Sequence, residues 1–124
     1  MIVNIGIIGF GTVGTGTVKI LLKKRKLIEE RTGIKLNLKK IADIDLERDR
    51  GIKLADGMLT NKVEELIEDP QIHIIVELIG GIKPAKDFIL QAIKNGKHVV
   101  TANKALLATE GKDIFFEAIK RGVS

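Results

Sequence analysis

The sequence predicts an α/β fold built as a doubly wound parallel sheet, and three observations lead there. Residues 3–8, 35–42, 72–79 and 97–101 read as strands, the first and third rich in β-branched residues and buried as in a parallel sheet, the second alternating in part. Helical patterns separate these runs, so the connections are right-handed crossovers. Gly9, Gly11 and Gly14 follow the first run and open the first helix.

The glycines fit G-x-G-x-x-G in the context that gives the pattern meaning, after a strand and before a helix. Gly9 permits the tight turn, Gly11 lets a pyrophosphate approach the backbone, and Gly14 lets helix and sheet pack closely. The helix then presents free N–H groups and the positive end of its dipole to the phosphates. The expected architecture is therefore a Rossmann-type dinucleotide-binding domain over residues 1–124, truncated before or at a fifth strand.

After Gly14, Val18, Leu21, Leu22 and Ile28 keep helical spacing until Thr32 and Gly33 end the pattern. The second strand ends in Ala42-Asp43-Ile44-Asp45. A carboxylate there can accept hydrogen bonds from the adenosine ribose and repel a 2′-phosphate, with Asp43 the better candidate and Asp45 the reserve. Both acids are equally readable as turn or helix-cap residues. Residues 47–57 carry no clear element. Residues 61–68 read as a short helix capped by Asn61 and stopped by Asp69-Pro70. The third strand runs into Gly80-Gly81, and such an edge is where open parallel sheets bind ligands. Glu77 interrupts this run; a buried acid needs a partner, but strand ends are often exposed, and no functional role is favoured for it. Pro84 and Asn95-Gly96 bracket a third helix with Phe88, Ile89, Ala92 and Ile93 inward. After the fourth strand comes a segment from Ala102 to Gly111, then an amphipathic helix through Ile114, Phe115, Ala118 and Ile119 to Gly122.

Composition narrows the function. The 124 residues, 44% apolar, suffice for one domain with a real core. No apolar run reaches 18 residues and no secretory leader is visible, so a soluble cytoplasmic protein with no membrane partner is expected. The absence of cysteine removes thiolate chemistry, and two histidines, His73 and His98, are too few for a metal site. The net charge of +5 and the basic run from Lys23 to Lys26 could suit nucleic acid. That run falls late in the first helix, where cations suit the dipole, and no Trp or Tyr is present to stack bases, so no nucleic-acid partner is expected.

Lys104 is the candidate catalytic residue. Asn103 can cap a short helix and leave Lys104 in its first turn, where the dipole disfavours a cation. With partial burial, an amine so placed could exchange a proton with a substrate hydroxyl. An exposed lysine at a helix start is also common.

The segment from His98 to Ala108, with Thr101-Ala102-Asn103-Lys104 at its centre, closely resembles homoserine dehydrogenase. So do the blocks from Gly9 to Gly14 and from Val76 to Gly81, in the family's order and spacing. The resemblance implies NAD(P)-dependent interconversion of L-homoserine and L-aspartate 4-semialdehyde, towards threonine, methionine and isoleucine. It implies that Phe10, Thr12 and Val13 contact the pyrophosphate and that Ile79 and Gly80 line the nicotinamide ribose side. Thr101, Ala102 and Lys104 would face nicotinamide and substrate, with Lys104 in proton transfer. Family members often carry Arg or Lys soon after the second strand for the 2′-phosphate of NADP. Ile44 stands there instead, which leans the expectation to NAD, although Arg48, Arg50 or Lys53 could fold back to serve a phosphate. The family's substrate ligands, second catalytic lysine and homodimerisation region lie outside this chain, which alone should bind cofactor without turnover of the small-molecule substrate. Sugar oxidoreductases with Glu-Lys-Pro at this place fit less well, and a nucleotide-sensing domain would have no need of Lys104.

Overall fold

The computed structural model describes residues 1–47, 50–79 and 81–124. Its elements are β1 (Ile2–Ile8), α1 (Thr12–Thr32), β2 (Lys35–Ala42), β3 (Leu59–Thr60), α2 (Glu64–Ile67), β4 (Ile74–Glu77), α3 (Lys83–Lys94), β5 (His98–Thr101) and α4 (Lys104–Arg121). The sheet order is β3-β2-β1-β4-β5, and every pairing is parallel. Strand order therefore reverses between β1 and β4, and a crevice at the carboxyl ends of these strands is the place such sheets bind ligands.

Alternate residues of β1 serve opposite faces. Ile5 and Ile7 join Phe10, Val18, Leu38 and Ile41 beneath α1, whereas Ile8 packs with Leu66, Ile67, Ile72, Ile75 and Ala92 on the side of α2 and α3. A third cluster, with Ile89, Ile93, Leu106, Ile114 and Ala118, joins α3 to α4. Apolar surface covered on both sides explains the nearly continuous branched-aliphatic runs.

Four expectations need correction. β3, a two-residue strand, was not anticipated: Asp43 N–H donates to Thr60 O at 2.9 Å, and Ile41 N–H donates to Met58 O at 2.8 Å. The strand after Lys97 is consequently the fifth. Asn61 does not cap α2; the Thr60 hydroxyl accepts from Lys62 N–H and donates to Glu65 Oε2, closing the turn one residue earlier. Lys104–Arg121 form one long helix capped by Asn103 rather than a short helix and a second one, and its outer face includes Phe115 and Ile119, with Ile114 and Ala118 inward. Finally, Lys97 precedes β5 and is buried, its ammonium donating to the carbonyls of Asp69 and Ile72. Burial pushes its pKa below the usual lysine value.

Candidate functional site

The glycine turn is held from three sides. Gly9 takes a positive φ of 105° and its N–H donates to Ala42 O at 2.8 Å. A Cβ on Gly9 would crowd Ile79 and the Leu78 backbone, and one on Gly14 would lie 2.0 Å from Gly9 O. A Cβ on Gly11 would meet nothing within 4 Å. Two of the three glycines are thus required by packing, and the third faces open space at the head of α1. That is the arrangement a diphosphate needs, with N–H groups of the first helical turn free to receive it.

Asp43 fastens this turn to the end of β2. Its Oδ2 accepts the Phe10 N–H at 2.6 Å, its Oδ1 accepts the Asp45 N–H at 2.9 Å, and Arg50 lies 3.6 Å away. Asp45 is a turn residue, accepting Glu47 N–H at its Oδ1. Arg50 folds back over the site: its Nε donates to Phe10 O, its Nη2 to Asp45 O, and its guanidinium carbon sits 4.4 Å from the Phe10 ring centroid. Phe10 itself is buried, so only its backbone is presented to the cleft. Arg48 and Gly80 lie outside the described residues.

Two cavities run along the sheet edge and meet at Leu78 and Ile79. The larger, about 650 Å³, has Gly9, Phe10, Gly11, Asp43 and Arg50 on one wall and Val63, Pro84 and Phe88 on the other. The smaller, about 340 Å³, is bounded by Val13, Glu77, Ala102, Asn103 and Lys104. Thr12 and Gly14 border neither, and Thr101 turns away to hydrogen-bond Glu77. The sequence thus named both ends of the cleft but missed the Val63, Pro84 and Phe88 wall, whose only signal was its place after two strand ends.

Lys104 opens α4. Asn103 Oδ1 accepts the Leu106 N–H at 3.0 Å, an N-cap as expected, and its amide donates to Gly81 O, tying α4 to the turn after β4. Lys104 is exposed, without the partial burial expected, and its ammonium meets no acceptor among the described residues. It is free to meet a ligand in the smaller cavity. No helix among the described residues is long and apolar enough to cross a membrane, and no cluster of metal-ligating side chains occurs among them.

The sequence profile described as "Homoserine dehydrogenase, NAD binding domain" matches residues 9–124. The chain belongs to this family. It is similar to homoserine dehydrogenase of Synechocystis, with 42% identity over 123 residues, 99% of this chain and 28% of that protein. Among solved structures, a homoserine dehydrogenase of S. aureus aligns with a TM-score of 0.92 at 39% identity, covering 99% of this chain and 32% of that one. A hyperthermophilic archaeal homoserine dehydrogenase, in complex with NADPH, aligns with a TM-score of 0.78 at 26% identity, over 99% and 43%. The chain spans about 28% of the length of the curated relatives it matches. The family's description names NAD, and the opening at Gly11 leaves room for the diphosphate of such a dinucleotide.

Proposed function

We propose that the two cavities hold one dinucleotide, the adenosine half beside Asp43 and the nicotinamide half beside Ile79 and Ala102. The Gly9 to Gly14 turn, with the backbone of Phe10, Thr12 and Val13, would lie against the diphosphate, and residues 1–124 would form one cofactor domain. The whole protein would be a cytoplasmic homodimer that interconverts L-homoserine and L-aspartate 4-semialdehyde for threonine, methionine and isoleucine synthesis. What supports this most is that Lys104 borders the same cleft as the glycine turn, at the opposite end from Asp43.

The bound nicotinamide supplies hydride transfer to and from the substrate carbon. The chain's own part is positional. The α1 terminus binds the diphosphate and Asn103 fixes the first turn of α4. In its neutral amine form Lys104 would take the hydroxyl proton as the alcohol is oxidised, and the ammonium so formed would return it on reduction. Thr101 supports this loop from below: its hydroxyl accepts the Asn103 N–H at 3.1 Å. Asp43 would favour NAD by accepting from the ribose hydroxyls. A second reading, NADP, is supported by Arg50, whose guanidinium stands beside Asp43 on the adenosine wall, where a 2′-phosphate would meet a cation.

The test is turnover of homoserine by the full-length protein with each cofactor. Lys104→Ala should lower kcat by a factor of about 10²–10⁴. Turnover like that of the unsubstituted protein would refute the lysine's role, and no oxidation of homoserine with either cofactor would refute the function.

A further inference from the structure

Glu77, expected at an exposed strand end, is fully buried. It is the last residue of β4, paired with Thr101 on β5, and its Oε1 accepts the Thr101 hydroxyl at 2.5 Å. Its Oε2 is buried and has no hydrogen-bond partner among the described residues. A buried carboxylate oxygen left unmatched costs free energy, and native structures leave few such atoms without a reason. Bracing Thr101 gives no reason for an acid, because one neutral acceptor would do the same. Of the neighbouring side-chain donors, the Thr101 hydroxyl goes to Glu77 Oε1 and one N–H of the Asn103 amide to Gly81 O, and the Lys104 ammonium, at the same cavity, makes no bond to the free oxygen. Glu77 borders the smaller cavity together with Val13 and Lys104.

We propose that Glu77 is a cofactor-binding residue whose free oxygen accepts a hydrogen bond from the nicotinamide half of the dinucleotide. The donor is an N–H of the nicotinamide carboxamide or an O–H of its ribose; both present a polar hydrogen that an anionic acceptor prefers. This rests on the cofactor reading above. It adds that the nicotinamide end carries an acidic anchor in the sheet itself, beneath the loop that bears Lys104. The same carboxylate, through the Thr101 hydroxyl and the Asn103 N–H, links the anchored ring to the start of α4.

Glu77→Gln tests this without changing size. The amide oxygen can keep the Thr101 bond, while the NH₂ replaces the free acceptor with a donor. Affinities of the full-length protein for NADH, ADP-ribose and ADP would be measured by calorimetry, with NADH checked by nicotinamide emission, which is excited at longer wavelengths than protein side chains absorb. The expected result is a loss for NADH of about tenfold or more, the range for a hydrogen bond to a charged group, with ADP unchanged. Unchanged ADP-ribose affinity would assign the donor to the carboxamide, and a parallel loss would assign it to the ribose. Undiminished NADH affinity overturns the proposal. So does an equal loss for ADP, which lacks the nicotinamide half and reports damage to the fold. If the unsubstituted protein binds none of the three, the cofactor reading itself falls, and this proposal with it.

Discussion

Replacing Gly14 with alanine probes the contact on which the cleft is built. The added Cβ would sit 2.0 Å from Gly9 O and 2.9 Å from Gly9 C, whereas real Cβ atoms essentially never come closer than 3.0 Å to another heavy atom. The start of α1 must therefore draw back from the turn by about 1 Å, because backbone atoms cannot swing aside as side chains do. Gly9 has little room to yield, being tied to Ala42 O by its own N–H while the next N–H is held by Asp43. Overpacking of this kind costs about 1–3 kcal/mol, and the helix preference of alanine over glycine offsets up to about 1 kcal/mol of it. The net loss should be about 1–2 kcal/mol, read as a lower urea midpoint at constant slope. Dinucleotide affinity should fall by about tenfold or more as the amides of the first turn leave the diphosphate. Gly16→Ala supplies the contrast, since a Cβ there meets nothing within 4 Å. It should stabilise by about 0.5–1 kcal/mol with affinity unchanged. If Gly14→Ala matched Gly16→Ala in both measurements, the close-approach argument would be wrong.

Two further substitutions address charge. Arg50→Ala should weaken NADPH binding by about tenfold and NADH binding by much less, as measured by calorimetry; an equal loss for both would show that Arg50 serves only to brace Phe10 and Asp45. The Lys39 ammonium, 2.6 Å from Asp69, donates to its carboxylate and holds that carboxyl below its usual value of 3.8. A lowered folded value makes the contribution present above 3.8 and lost as the pH falls through the lower one. The Tm gap between the unsubstituted protein and Asp69→Asn, measured from about pH 6 downwards, should close in that acid range. A gap that stays constant would refute the pairing.

How much of this could be read from residues alone depended on whether the signal was local. The β1 strand, the glycine turn and α1 down to Gly33 follow from a short stretch in which sterics decide each step, and Asn103 announced its cap by residue type. β3 could not be read, because two residues have no periodicity and pair only when β2 is already in place. That omission carried the helix cap from Thr60 to Asn61. Arg50 was one of three cations that could fold back, and the choice among them rests on the Phe10 ring and two carbonyls supplied by distant segments. Glu77 was misjudged because the end of a strand says nothing of what a later strand brings beside it, here the Thr101 hydroxyl of β5. Which apolar residues of the last helix face outward was also not to be had from spacing, since Phe115 and Ile119 share an apolar pattern with their buried neighbours.

The matched register of β1, β4 and β5 has a metric consequence. Ile8 stands opposite Glu77, and Glu77 opposite Thr101, so the last residues of β1, β4 and β5 form one row across the sheet. Adjacent strands are about 4.8 Å apart, which sets the glycine turn and the lysine-bearing loop roughly 10 Å from each other. On the proposed placement of the dinucleotide, the sheet would work as a ruler, matching a guest by the span between its charged linker and its reactive ring before any side chain inspects either end.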